Sequence, residues 1–216
     1  MKNRIVFWRD VPIDVGKGAF DSFVKHWHGE VLVVSFHDYP EERKKCGYTN
    51  ERYPNVEYVT LEAEQFPREK AFSILRSESG SIHIFNGIRG FNQRCLNYLI
   101  RYCKKKGEHP LIDVMGERPN GYGRFWIKEI KQLVYKIIYG VLACRYGKHI
   151  QCFFAMGKRG VNVYAGLGFS EHVLFPYMYC PKLEEVVHSN LVSETVKFLY
   201  IGRFNYSTKG LDILMN

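Results

Sequence analysis

Short apolar runs recur along this 216-residue chain, spaced far enough apart to hold a helix between them. That spacing limits the fold more than any other feature. Ile5–Trp8, Val31–Phe36, Val56–Leu61, Ser81–Phe85, Leu111–Val114 and Gln151–Ala155 read as strands, several of them apolar throughout rather than alternating. Continuous apolar strands belong to sheets covered on both faces. Between them, Phe66–Ser79, Phe91–Lys106 and Tyr122–Tyr146 carry helical periodicity. Such alternation predicts an open, mostly parallel α/β sheet with right-handed crossovers and helices on both faces.

Charge narrows the partners. The formal net charge is +9, and residues 125–160 hold seven Lys/Arg against one Glu. A basic stretch of this kind favours phosphate, a lipid headgroup or nucleic acid, or it is a solvated helix face. No nucleic-acid recognition motif is present, so nucleic acid is not the expected partner. The six cysteines, Cys46, Cys95, Cys103, Cys144, Cys152 and Cys180, form no C-x-x-C pair and no zinc-type spacing. Reduced thiols in a cytoplasmic protein fit this usage, and no metal is expected. Met1-Lys2-Asn3-Arg4 runs into a strand too short for a signal-peptide core. The longest apolar stretch, Leu133–Cys144, contains Lys136 and is too short to cross a bilayer.

The helix from about Tyr122 is the most amphipathic element. Trp126, Ile130, Leu133, Val134, Ile137, Ile138, Val141 and Leu142 form an apolar stripe, with Lys128, Lys131, Lys136 and Arg145 at other angles. The stripe reads as a core-facing surface with a basic outer face. The sharper alternative is peripheral attachment to an anionic membrane.

In open α/β sheets, ligands bind beyond the carboxyl ends of strands, near the point where strand order reverses. After the first strand, Gly16 and Gly18 permit close backbone approach, and the helix that follows would aim its N–H groups at an anion. The segment lacks the third glycine of a dinucleotide fingerprint and the ending of a P-loop, so a plain turn remains open. After the fourth strand, Asn86 and Arg89 are candidates to hydrogen-bond a hydroxylated or anionic ligand, or mark a helix start shaped by glycine. After the fifth, Glu117 and Arg118 form a substrate-binding pair or a surface ion pair. His26, His28 and His83 make no catalytic constellation, and neither GxSxG nor HExxH occurs.

The C-terminal block VKFLYIGRFNYSTKGLDILMN reads as a strand, a basic glycine-bounded loop and a nascent helix. Arg203 and Lys209, six residues apart, would set a planar fork and a point charge beside one strand end, suited to clamping a diphosphate. Neutralising a leaving nucleoside diphosphate is what sugar-nucleotide transfer requires. KFLYIGRFNYSTKGLDIL resembles the opening of the donor-binding domain of GT-B fold retaining glycosyltransferases of the family 4 type. In that family, the arginine and lysine of G-R…K-G contact the donor diphosphate, which implies those roles for Arg203 and Lys209. Phe154–Tyr179 is similar to the end of the family's N-terminal domain, where a helix leads into a last strand. Gly16 and Gly18 then occupy the place of the family's glycine loop near donor phosphates and acceptor.

The resemblance implies a Rossmann-like N-terminal acceptor-side domain over 1–180, a linker over 181–195, and the start of a truncated donor domain over 196–216. The implied activity is retaining transfer of a sugar from a UDP- or GDP-type donor to a carbohydrate or lipid-linked acceptor, without a cofactor, in polysaccharide or glycolipid biosynthesis. The implied location is cytoplasmic, peripheral to the inner face of a membrane. Two departures matter. Many members carry a histidine where Asn86 stands, and the family's Glu-x7-Glu motif is missing. Catalytic residues therefore stay unassigned, and this chain alone is expected to be inactive. The alternative is an acceptor- or anion-binding module without a donor half. Lys197–Ile201, a strand lacking its sheet, is expected to pack on the N-terminal domain or to pair with another chain.

Overall fold

Burial on both faces of the central strands organises this molecule. The computed structural model describes residues 3–12, 17–41, 44, 53–116 and 125–178. In chain order these are β1 (Arg4–Arg9), α1 (Lys17–His26), β2 (Glu30–Ser35) and β3 (Val56–Thr60). Next come α2 (Pro67–Ser77), β4 (Ile82–Asn86), α3 (Gly90–Lys106), β5 (Leu111–Gly116) and α4 (Phe125–Tyr146). The series closes with β6 (Ile150–Met156), α5 (Gly157–Gly166) and β7 (Leu174–Tyr177). Local signals set several ends. Pro67 opens α2 where its missing N–H costs nothing. Gly107 closes α3 in the left-handed conformation, φ 72°, donating back to the Cys103 and Lys104 carbonyls.

The seven strands lie in the order β3-β2-β1-β4-β5-β6-β7, and every pair is parallel. This is a Rossmann-like sheet, and its order reverses between β1 and β4. On one face Val6, Trp8, Leu32, Val34, Phe85, Val114 and Phe153 pack against Leu75, Leu96, Leu99, Tyr139, Leu142 and Tyr164 of the helices. On the other, Ile5, Phe7, Val31 and Val33 pack against Phe20 of α1. The expected α/β sheet, with helices on both faces, is therefore what the chain forms. The helix and final strand anticipated within Phe154–Tyr179 are α5 and β7. The linker and the 196–216 segment, Lys197–Ile201 included, lie outside the described residues.

One expectation is overturned. The apolar stripe assigned to the core side of α4 points mostly outward: Ile130, Leu133, Ile137 and Val141 are 64%, 61%, 60% and 61% exposed, and Val134 is exposed too. Of the expected set, Leu142 is buried and Ile138 partly so. The core face is instead Tyr139, Leu142, Ala143 and Tyr146, with Tyr135 packed against it. At about 100° per residue, these form a second stripe on the opposite side of the helix. Aromatic rings won the core side because each buries more area than Ile or Val and keeps a polar tip that can find a partner. Tyr146 does so, donating its hydroxyl to Asn97 Oδ1 at 2.9 Å.

Candidate functional site

The reversal of strand order leaves a crevice past the carboxyl ends of β1, β4, β5 and β6. Gly87 (φ 89°) and Gly90 (φ 63°) turn the chain sharply between β4 and α3. Both angles fall where side-chain-bearing residues are strained. The buried Asn92 side chain then donates to the Asn86 carbonyl at 2.8 Å, tying the first turn of α3 to the strand end. Here a cavity of about 240 Å³ is lined by Asp10, Asn86, Gly87, Ile88, Met115, Gly116, Tyr139, Phe153 and Tyr164. Gly116 is required by this packing. A Cβ there would meet Phe153 Cε1 at 2.5 Å and Tyr164 Oη at 2.8 Å.

Met115 also borders a second, mostly apolar trough of about 300 Å³ beside α1, bounded by Phe7, Phe20, Phe23, Ile84, Phe154 and Tyr177. Its charged lining groups are Arg9 and Asp113. The Arg9 Nε donor is buried and has no hydrogen-bond partner among the described residues. Ala19, in the first turn of α1, lines the same trough along with Phe20 and Phe23, so the side of that helix near its N-terminus borders it. Asp113 accepts the Cys152 backbone N–H at 3.0 Å. Burial holds its carboxyl above the usual range, and the Cys152 hydrogen bonds only partly offset this. A guanidinium N–H lacking an acceptor suits an oxyanion.

Of the site residues expected from sequence, Asn86 lies in the crevice wall. Arg89 does not line that cavity. It is exposed at the N-cap of α3, and its guanidinium lies 5.4 Å and 5.9 Å from the ring centres of Tyr135 and Tyr139. That cation–π stacking connects α3 to α4. Gly18 is a correction: it is the second residue of α1, so the helix begins earlier than a loop through both glycines allows. Gly16, Glu117, Arg118, Arg203 and Lys209 lie outside the described residues. The structure adds Arg9, Asp10, Tyr139 and Tyr164, drawn from three elements, and no local motif marked them.

His83 is structural. It is fully buried, accepts the Trp8 indole N–H, and donates to the Glu78 carbonyl at 2.9 Å. A larger cavity, about 630 Å³, opens at the opposite end of the sheet beside Asn3, Arg4, His28 and Glu78. Its charges are matched internally: Arg4 pairs with Glu30 and Glu78, each at 3.4 Å, and with Glu57. Among the described residues, no group of three or more His, Cys, Asp or Glu side chains is arranged to hold a metal ion.

No family model matches the chain, and no curated protein does. Among solved structures, HepE from Anabaena, determined in complex with UDP, superposes with a TM-score of 0.48 at 10% identity. That match covers 83% of this chain and 44% of the HepE chain, so this chain spans less than half of HepE's length. YwfH, an NADPH-dependent reductase involved in bacilysin biosynthesis, gives a TM-score of 0.35 at 13% identity, covering 68% of each chain. At these scores neither match carries a functional argument, which rests on this chain's own residues.

Proposed function

We propose that this chain is the acceptor-side half of a retaining glycosyltransferase. The enzyme would move a sugar from a UDP- or GDP-type donor to a hydroxyl of a carbohydrate or lipid-linked acceptor, in polysaccharide or glycolipid assembly. The observation that supports this most is the crevice at the strand-order reversal, with Asp10 and Asn86 on its polar side and the unmatched Arg9 donor next to it. Hydroxyl-rich ligands need acceptors and donors set close together, and Asp10, Asn86 and the tyrosine hydroxyls supply both. Arg9 favours negative charge on the trough side.

In this reading Arg203 and Lys209 clamp the donor diphosphate as negative charge grows on it, so no metal is needed. Gly16, just before α1, lets the backbone approach donor and acceptor. Glu117 and Arg118, next in the chain after Gly116, are the acceptor-side groups in this reading. The test is transfer or hydrolysis of UDP- and GDP-sugars by a longer chain carrying the donor half, against Arg203→Ala with Lys209→Ala. Activity should fall by at least about 100-fold, and unchanged turnover would sink the assignment. A second reading, an acceptor- or anion-binding module without turnover, follows from the same crevice. Calorimetry on the 216-residue chain separates the two, because micromolar binding of a nucleotide sugar contradicts the donor-less module.

A further inference from the structure

The helix α4 is apolar on two opposite sides, and only one of them meets the core. Ile130, Leu133, Val134, Ile137 and Val141 form a ridge pointing away from the sheet, and the exposed Cys144 extends it by one turn. A contiguous exposed apolar strip on a folded domain marks an interaction surface. Lys136 flanks it on one side, and Lys131 and Arg145 on the other. Both flanks are thus basic, with long stems that can lie along an apolar boundary while their charges reach outward.

A charged groove adjoins the last turn of α4 through Arg145 and Tyr146. At the carboxyl ends of α3 and α4 a cavity of about 450 Å³ is lined by Arg101, Lys104, Arg145 and Lys148, together with His109 and His149. Glu108 is the acidic residue of its lining. Offsetting the helix dipoles accounts for cations in the last turn, such as Lys104 and Arg145. It does not account for Arg101, which precedes that turn, or Lys148, which follows the helix. Burial, then Lys148, His109 and Lys104, hold the His149 imidazole below its usual value, as expected in a positive field.

We infer that α4 docks this protein flat on an anionic lipid surface, its ridge entering the acyl boundary and the Arg101–Lys104–Arg145–Lys148 groove holding lipid phosphate. Charge complementarity selects this occupant. Residues 130–160 carry six Lys/Arg and no Asp or Glu, so two copies apposed through α4 would set basic flank against basic flank. A ridge one helix wide also suits a deformable surface better than a rigid one. Interfacial helices combine this apolar strip with basic flanks, and each cation near an anionic leaflet adds to the attraction. The inference stands on the surface of α4 and does not depend on the glycosyltransferase reading.

Flotation of the 216-residue protein with vesicles tests it, with no nucleotide sugar present. Binding is expected to vesicles containing phosphatidylglycerol and not to pure phosphatidylcholine, and it should weaken as salt rises. Ile137→Ser with Val141→Ser should reduce binding at least about tenfold. Arg101→Glu with Lys104→Glu should do the same. In a separate Ile137→Trp variant, emission should shift to the blue on vesicles and be quenched by brominated acyl chains. No binding, salt-independent binding to both lipids, an unmoved emission spectrum of the Ile137→Trp variant, or a dimer dissolved by the Ser pair would each overturn the inference.

Discussion

Trp8 and His83, on the two strands that flank the reversal of strand order, are joined by a 3.0 Å hydrogen bond from the indole N–H to His83 Nδ1. Because indole can only donate, Nδ1 must accept, and the ring's proton sits on Nε2, facing the Glu78 carbonyl. Both ring nitrogens are thereby satisfied in the neutral form. Burial pushes the imidazole down to about 4, against the weaker opposing pull of Glu78. The pair stacks with Phe85 and stiffens the sheet beneath the crevice.

A pH dependence of stability follows, with a definite sign. The folded state holds His83 below its unfolded value, so the unfolded chain binds the proton first as pH falls. The contribution is complete above pH 6.5 and is lost as pH drops from 6.5 towards 4. Between pH 7 and pH 5 this amounts to about 2 kcal/mol. Urea midpoints at the two values check it, and His83→Leu should flatten the difference while lowering stability at both.

Gly116 tests the crevice wall. Gly116→Ala forces a methyl onto Phe153 and the Tyr164 hydroxyl, and should cost about 1–3 kcal/mol of unfolding free energy. Gly80, with open space around its Cβ position, is the matched control, and Gly80→Ala should leave the thermal midpoint nearly unchanged.

The two faces of α4 should respond oppositely. Tyr139→Ala removes a buried ring and should destabilise by about 3–5 kcal/mol. Ile137→Ser, on the exposed side, should stay within about 0.5 kcal/mol of the parent chain. Equal losses at the two positions would show that something covers the outer ridge.

For the crevice itself, Asp10→Asn and Asn86→Ala should lower turnover of a longer chain carrying the donor half by at least about tenfold, with the melting temperature unchanged. Arg89→Ala should instead lower stability slightly, because its partners are Tyr135 and Tyr139 rather than a ligand. Steady-state kinetics beside thermal melts distinguish the two patterns.

Strand and helix identity was legible because it rests on local periodicity. Runs such as Val31–Phe36 can be buried on both sides only within a sheet, and β2 occupies Glu30–Ser35. The place of Asn86 at the end of β4 was legible for the same reason. The facing of α4 was not. Ile130, Ile137 and Val141 make as good a stripe as Tyr135, Tyr139, Leu142 and Tyr146, and hydrophobicity alone cannot rank two apolar faces on opposite sides of one helix. Only contact with Phe153, Tyr164 and the α3 helix decided which one is inside. The crevice was hidden for a related reason: Asp10, Tyr139 and Tyr164 are far apart in the chain and meet only where two helices pack over the end of β1. Local chemistry determined the elements and their class, and the tertiary packing alone determined which side chains share a cavity and which apolar face of α4 stays exposed.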